Sequence, residues 1–145
     1  MKIGIFTVLF NDRPLEKVLK FVSELGYEAV ELAADRWSNH LNIDEILKGK
    51  ASEYRRLISS YGLEISALSN HVESQLIGGP HGVDTDTILS GSPEEKIKYG
   101  VERMKKTAEA AAALDVPVVN GFVGCENWSR WFIWPGGLDL WEKGY

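Results

Sequence analysis

The sequence predicts an α/β domain in which strands and helices alternate and the strands form a parallel sheet. Apolar runs of strand length alternate four times with longer runs whose apolar residues recur at helical spacing. Each strand-like run ends in polar residues or glycine, which suggests that the four strands deliver polar groups to one shared site. Strands joined by helices in this way lie parallel with right-handed crossovers, and 145 residues is the length of one domain.

The first strand–helix unit begins at the amino terminus. Residues 3–10 are almost all apolar, which is typical of a strand buried on both faces. Asn11 and Asp12 supply side chains that can cap a helix, and Pro14 suits its first turn. The helix is expected to end at Gly26, because a left-handed glycine terminates many helices. Its apolar stripe consists of Leu15, Val18, Leu19, Val22 and Leu25.

The second and third units follow the same design. Residues 27–32 form the predicted second strand, which carries Glu31. Ser52 is expected to cap the next helix, which stops at Gly62. Residues 63–69 form the predicted third strand, a buried run like the first two. This strand leads into the polar triplet Ser69, Asn70 and His71.

A long connection and a strongly signalled helix lead to the fourth strand. Residues 70–92 form a segment whose length is typical of functional loops. Ser92, Pro93 and Glu95 form a capping box with proline at the first helical position. The fourth strand is predicted within residues 116–123. The preceding helix is predicted to run through Ile97, Val101, Met104, Ala108, Ala111 and Ala112 to about Leu114, and its alanines suggest close packing on a sheet.

Two architectures fit four such units, a small doubly wound sheet and part of a (β/α)₈ barrel. No G-x-G-x-x-G fingerprint follows the first strand, which weakens the doubly wound, nucleotide-binding alternative. Barrels place their chemistry at the carboxyl ends of the strands, where the polar residues of this sequence fall. A complete barrel needs roughly 250 residues. We therefore predict about the first four units of an eight-unit TIM barrel, as a single partial domain over residues 1–145.

Charge and cysteine content narrow the classes of partner. The net charge of −5 and the isoelectric point near 5.2 argue against nucleic-acid binding, which requires clustered Lys and Arg. A single cysteine, Cys125, excludes an intramolecular disulfide and fits a reducing cytoplasm. No stretch approaches the roughly 18 apolar residues needed to cross a membrane. The apolar amino-terminal run is interpreted as a strand rather than as a signal peptide.

Four short segments stand in order along the predicted strands: residues 3–7 (IGIFT), 26–32 (GYEAVEL), 67–71 (ALSNH) and 119–124 (VNGFVG). Together they resemble the sugar phosphate isomerase/epimerase family, the xylose isomerase-like TIM barrels. The resemblance implies a metal-dependent enzyme that isomerises or epimerises a sugar or related polyol by moving a proton next to a carbonyl. It also implies a divalent ion (Mn²⁺, Mg²⁺, Co²⁺ or Zn²⁺) whose carboxylate and histidine ligands lie on strands five to eight. Catalytic residues and metal ligands are therefore expected outside these four units, and the chain alone is expected to be inactive.

Among the four units, His71 and Glu31 are the main candidates for binding a small sugar or polyol. His71 directly follows the third strand, so barrel geometry points it into the mouth, where it would bind substrate or support the metal shell. The alternative is a loop histidine satisfied by the backbone. Glu31 lies near the end of the second strand, where a buried carboxylate is costly unless it is paired or bound. Its alternative role is an ion pair with an Arg or Lys at the barrel mouth, such as Arg36.

Two asparagines and a tryptophan complete the candidate substrate-binding set. Asn70 and Asn120 could donate hydrogen bonds to sugar hydroxyls, or could cap their loops. Trp128 follows the fourth strand and could stack on the C–H face of a sugar ring, although such aromatics also form loop cores.

Two other functions stay open from the sequence. A non-catalytic half-barrel could bind a small polyol and form a homo-oligomer through the unpaired edges of its first and fourth strands. A zinc-dependent endonuclease acting at abasic DNA sites shares the barrel fold, but the acidic net charge argues against it.

Overall fold

The computed structural model describes residues 1–79 and 81–124, which form a parallel sheet of four strands with helices packed on one face. The strands are β1 (Gly4–Phe6), β2 (Ala29–Ala33), β3 (Glu64–Asn70) and β4 (Val119–Gly121). They lie side by side in chain order, and each neighbouring pair is parallel. A doubly wound sheet reverses its strand order at a switch point, so this uninterrupted order confirms a partial barrel.

Helices connect the strands throughout the described residues. The α-helices are α1 (Leu15–Glu24), α2 (Ile43–Glu45), α3 (Ala51–Ser60), α4 (Val83–Asp86) and α5 (Pro93–Ala113). A 3₁₀ helix follows β1 (Thr7–Phe10), another follows β3 (Glu73–Ile77), and a π-helical turn (Ile46–Lys50) joins α2 to α3. Within the described part of the chain, none of the helices combines the length and apolar character that crossing a bilayer requires.

The core lies between the sheet and the helices. Alternate strand residues face it, such as Val30 and Leu32 of β2 and Leu68 of β3, and they pack with apolar residues of α1, α3 and α5. Strand side chains point alternately to the two faces, so Glu31 of β2 and its register partner Ala67 of β3 lie on the opposite face. The sheet therefore has one face covered by helices and one open face that carries the candidate site.

Three local signals in the sequence are confirmed. Gly26 and Gly62 follow α1 and α3 with φ of +84° and +72°, the left-handed conformation expected at these helix ends. The capping box at α5 is also present, because the Ser92 hydroxyl accepts from the N–H of Glu95 and the Glu95 carboxylate accepts from the N–H of Ser92. Each of these signals depends only on neighbours within a few residues.

Two strands are shorter than the sequence predicts. Residues 3–10 do not form one strand, since β1 ends at Phe6 and the 3₁₀ helix Thr7–Phe10 follows. Leu9 is 69% exposed, so the apolar run does not signify burial on both faces. A short, continuous apolar run fits a strand and a helical turn equally well, because it carries no periodicity. β4 likewise has three residues, and the flanking parts of residues 116–123 lie outside the strand.

The predicted caps of two helices are wrong. Ser52 lies inside α3, which continues from the π-helical turn, and no side chain caps α1. The capping asparagine is Asn42 at α2, whose side-chain oxygen accepts from the N–H of Asp44 at 3.0 Å. Asn11 instead accepts from the N–H of Asn39 at 2.8 Å and thereby ties the loop after β1 to the loop after β2. Short polar side chains serve both purposes, so their presence alone does not identify a cap.

The buried face of α5 carries charged side chains as well as alanines. Ile97 is 38% exposed, whereas the adjacent Lys96 is 1% exposed. The reason is that α5 packs against the segment after β3, which supplies partners for charged side chains: Lys96 pairs with Asp86, and Arg103 pairs with Glu73. The buried residues are Lys96, Gly100, Arg103, Thr107, Ala110 and Ala111.

Candidate functional site

The strands bring polar and aromatic side chains to their carboxyl ends on the open face of the sheet. Phe6 ends β1 and is the register partner of Glu31 on β2. Asn120 of β4 is the register partner of Ser69 on β3, and His71 directly follows β3. Because the strands are parallel, these ends lie along one edge of the sheet. We name this set the mouth cluster: Phe6, Glu31, His71, Asn120 and Phe122.

Glu31 and Asn120 contact each other although β3 lies between their strands. The Asn120 amide Nδ2 donates to Glu31 Oε1 at 3.2 Å. On the intervening strand, Ala67 and Ser69 are the register partners of Glu31 and Asn120, and their small side chains leave room for this contact. One amide donor leaves a carboxylate with further acceptor capacity. Glu31 is therefore able to accept a hydrogen bond from a hydroxyl of a bound molecule.

His71 lies between two aromatic rings. Its ring centroid is 5.4 Å from that of Phe6, with an interplanar angle of 77°, and 4.8 Å from that of Phe122, at 32°. Both separations are within the range of favourable aromatic pairs. The imidazole is partly exposed, so its nitrogens can donate to or accept from a molecule in the mouth. A polar ring between apolar faces suits the hydroxyls and the C–H faces of a polyol.

Asn70, although adjacent to His71, points to the helix-covered face and is fully buried. Its Nδ2 donates to Glu73 Oε2 at 3.2 Å and to the Thr107 hydroxyl at 3.4 Å. Its Oδ1 accepts from the N–H of Ser74 at 3.1 Å. These contacts anchor the segment after β3, as in the loop-capping alternative considered for Asn70 from the sequence. The structure thus separates Asn70 from the mouth cluster.

The remaining sequence-based candidates do not join the mouth cluster in the described residues. The alternative ion pair between Glu31 and Arg36 is not formed, because the Arg36 guanidinium donates to the carbonyl oxygen of Ile88 and lies 4.2 Å from the centroid of the Trp37 ring. Trp128 lies outside the described residues, so its predicted stacking role stays a prediction.

A buried ionic cluster behind the mouth is absent from the sequence-based predictions. Glu73 is fully buried, and its Oε2 accepts from Arg103 Nε at 2.7 Å. The Tyr99 hydroxyl donates to the other carboxylate oxygen, and burial, followed by this hydrogen bond, raises the pKa of Tyr99. We name Glu73, Arg103, Tyr99 and Asn70 the Glu73 cluster. Its two charged members are 30 residues apart, so no local motif signals their pairing.

Asp35 lies beside the Glu73 cluster, just after β2. Its Oδ1 accepts from the N–H of Val72 at 3.0 Å and from the N–H of Glu73 at 3.3 Å, so it holds the start of the 3₁₀ helix after β3. Burial raises the pKa of Asp35, and the negative charge of Glu73 adds to this effect, whereas the backbone N–H donors oppose it. The sequence offered a signal here, because Asp35 follows a strand as His71 does.

Two clefts lie near the sheet. One of about 130 Å³ opens beside the Glu73 cluster and is lined by Asp35, Asp44 and Arg103 among others. A larger groove of about 490 Å³ includes Glu64 and Pro117 in its lining and lies at the amino ends of β3 and β4. This is the end opposite to the mouth cluster, whereas barrels place their chemistry at the carboxyl ends. We therefore take the mouth cluster, rather than the larger groove, as the candidate site.

The described residues do not fit a metal centre. Within residues 1–79 and 81–124, no group of three or more His, Cys, Asp or Glu side chains could hold an ion. Glu31 and His71 offer donor atoms of suitable chemistry, but two side chains fall short of the three or four that protein zinc sites supply. A divalent ion in this protein would need ligands from other residues.

A family model described as a xylose isomerase-like TIM barrel matches residues 19–139. The chain belongs to this family. The match includes β2, β3 and β4, so it covers three of the four strands whose ends form the mouth cluster. The family resemblance inferred from the strand-end motifs is thereby confirmed.

Relatives of this xylose isomerase-like barrel are longer than the chain itself. The uncharacterized protein YfiH of Bacillus subtilis (strain 168) is 29% identical in a match 96 residues long that covers 61% of this chain and 31% of YfiH. A crystal structure of D-psicose 3-epimerase in the presence of D-fructose has a TM-score of 0.51 and 15% identity, over 83% of this chain and 37% of that chain. The D-psicose 3-epimerase from Clostridium cellulolyticum H10 with D-tagatose has a TM-score of 0.41 and 15% identity, over 81% and 51%. The first epimerase shares the fold, and the chain spans about a third of the length of YfiH and of that epimerase.

Proposed function

We propose that this chain forms the substrate-orienting part of a sugar isomerase or epimerase, which moves a proton next to a carbonyl carbon. The main support is that Glu31, His71 and Asn120 lie together at the carboxyl ends of the strands, with aromatic rings on either side of the imidazole. A D-psicose 3-epimerase of the same fold was crystallised in the presence of D-fructose, which supports a ketose, free or phosphorylated, as the substrate. Family membership supports the reaction class.

The mouth cluster would bind and orient the sugar rather than break its C–H bond. Glu31, fixed by Asn120, would accept from one sugar hydroxyl, and His71 would exchange a hydrogen bond with another. Phe6 and Phe122 would cover the C–H faces and exclude water. Orientation of this kind contributes to catalysis by holding the reacting carbon in place. Trp128, outside the described residues, would add a further stacking surface.

The proton-transferring base is assigned to residues outside the described part of the chain. A divalent ion, when bound, would polarise the carbonyl oxygen and so acidify the neighbouring C–H bond. The described residues contain no group of three or more side chains that could hold such an ion. A general base remains necessary whether or not Glu31 orients the sugar.

Solvent exchange of the proton next to the carbonyl tests the proposal. The full-length protein is incubated in D₂O with Mn²⁺ or Mg²⁺ and a panel of ketoses, and deuterium incorporation is followed by mass spectrometry. We expect exchange with at least one ketose, and slower exchange in Glu31→Gln and in His71→Phe. The matched control is Glu102→Gln on the exposed side of α5, which should exchange at the wild-type rate. A complete lack of exchange across the panel would overturn the proposal.

A second candidate is a non-catalytic module that binds a small polyol and self-associates through its sheet. It is supported by exposed apolar side chains on either side of the edge strand β4: Val118 is 44% exposed and Val123 is 60% exposed. Light scattering across a range of concentrations tests it. Self-association should weaken in Val118→Lys but not in Ile97→Lys, which changes an exposed side chain on α5. A wild-type monomer at every concentration would exclude this candidate.

A further inference from the structure

Glu73 lies two residues after His71 and connects three elements of the fold. Its buried carboxylate accepts from Arg103 of α5 at 2.7 Å and from Asn70 of β3 at 3.2 Å. The same guanidinium donates through Nη2 to the carbonyl oxygen of Ala34, just after β2, at 2.9 Å. One ion pair therefore fixes the ends of two strands and the middle of α5 relative to one another.

Side chains of this region hold the backbone from His71 to Ser74 at four points. The resulting hydrogen bonds leave little freedom for the segment that carries the imidazole, because a peptide held at several points has few rotations left. Val72 N and Glu73 N donate to Asp35, Ser74 N donates to Asn70, and Gln75 Nε2 donates to the carbonyl oxygen of His71 at 2.8 Å.

The same segment also fixes the aromatic partner of His71. The Ser74 hydroxyl accepts from the N–H of Phe122 at 3.0 Å and donates to the carbonyl oxygen of Asn70. The ring of Phe122 lies 4.8 Å from the imidazole. The residues that hold the start of the 3₁₀ helix thus set the positions of both His71 and Phe122.

Stability alone does not explain the buried ion pair. Two apolar side chains of similar volume often stabilise a fold as well as a buried ion pair does, since both charges must leave water. Apolar contacts are non-directional, however, whereas the Arg103 guanidinium holds a carboxylate and a carbonyl at fixed angles. An apolar pair would preserve the packing of α5 on the sheet and lose this directional hold.

We propose that Glu73 and Arg103 are positioning residues for His71, and that their ion pair keeps the imidazole between Phe6 and Phe122. The consequence for catalysis rests on the proposed function, in which His71 binds the sugar. The position of the imidazole does not depend on that function and can be measured separately.

The position of the imidazole is tested by NMR on the full-length protein. Ring currents of Phe6 and Phe122 displace the His71 ring-proton signals, which are assigned by their loss in His71→Phe. In the apolar pair variant Glu73→Met/Arg103→Leu, we expect a folded protein whose His71 signals move toward those of an exposed histidine. In the control pair variant Asp44→Leu/Lys106→Met, which removes an exposed ion pair between α2 and α5, they should stay in place.

Two results would overturn the positioning role. One is an apolar pair variant that unfolds as wild type does in urea and keeps its His71 signals unchanged. If that variant does not fold, Arg103→Lys keeps the positive charge but cannot hold the Glu73 carboxylate and the Ala34 carbonyl at fixed angles, and unchanged His71 signals in this milder variant would be equally decisive. A measurable displacement of the signals in Arg103→Lys is the expected result.

The exchange assay separates this inference from the proposed function. In the apolar pair variant, the turnover rate should be about tenfold lower than in wild type, which corresponds to the loss of one hydrogen bond. His71→Phe should lower the rate by about as much. Combining the two changes should lower it no further, because both act through the same imidazole. Additive losses would overturn the inference. A lack of exchange in wild type would overturn the proposed function and leave the NMR measurement to decide the position of His71.

Discussion

Replacing Arg103 by methionine tests how far the buried Glu73 depends on its guanidinium partner. Glu73 is 0% exposed, and the change removes its donor at 2.7 Å while the Asn70 and Tyr99 donors stay. Leaving one member of a buried ion pair unpaired typically costs about 3–5 kcal/mol. Water can reach the vacated space through the 130 Å³ cleft that Arg103 lines, so we expect the lower half of that range. The loss is a large fraction of the roughly 5–15 kcal/mol that stabilises a typical domain.

Lys106→Met on the same helix is the matched control. Lys106 pairs with Asp44 at 2.8 Å, but the two side chains are 48% and 50% exposed, so the pair should contribute less than about 1 kcal/mol. Urea unfolding followed by circular dichroism gives both free energies, and an unchanged m-value shows that both variants unfold from the same compact state. Equal losses in the two variants, or a loss below about 1 kcal/mol in Arg103→Met, would refute the reasoning.

Three further predictions concern single sites. Gly78→Ala would place a Cβ 2.5 Å from the carbonyl oxygen of Val123, and it should lower the free energy of unfolding in urea by about 1–3 kcal/mol. In the control Gly82→Ala, the new Cβ meets no atom within 4 Å, so this variant should be nearly neutral. Equal effects of the two changes would contradict the close approach at Gly78. Ser92→Ala removes the cap of α5 and should cost about 1 kcal/mol in the same assay, so an unchanged midpoint would show that the cap is dispensable. Burial raises the pKa of Asp35 above its ordinary 3.8, so the folded state binds the carboxyl proton more tightly than the unfolded chain does. The contribution of Asp35 to stability therefore falls as the pH rises from 3.8 through the raised pKa. Asp35→Asn should therefore gain stability relative to wild type across that window, and a pH-independent difference would disprove it.

Local chemistry explains which parts of the fold the sequence predicts. Gly26, Gly62 and the Ser92 box act through backbone conformation and short-range hydrogen bonds, so a few neighbouring residues suffice to recognise them. The exposure of Leu9 and the burial of Lys96 cannot be predicted locally, because both depend on segments that are distant in the sequence. Hydrophobic periodicity describes a helix face that packs on apolar residues, and α5 packs partly on charged ones.

The sequence predicts those parts of the candidate site that depend only on the order and direction of the strands. The contact between Glu31 and Asn120 follows from the rule that parallel strands deliver their carboxyl-end residues to one edge. Asn70 and His71 are adjacent, and the alternation of strand side chains already implies that the two cannot both face the mouth. The pairing of Glu73 with Arg103 requires the tertiary fold, since nothing in either local sequence distinguishes a buried charge from an exposed one.

Mapping where a ketose binds shows whether the mouth cluster is the binding site. The ¹⁵N-labelled full-length protein is titrated with a ketose such as D-fructose, and the amide signals that move are assigned. We expect the largest changes around Phe6, Glu31, His71 and Asn120, at the carboxyl ends of the strands. Changes concentrated around Asp115, in the larger groove at the opposite end of the sheet, would contradict the placement of the site in the mouth cluster.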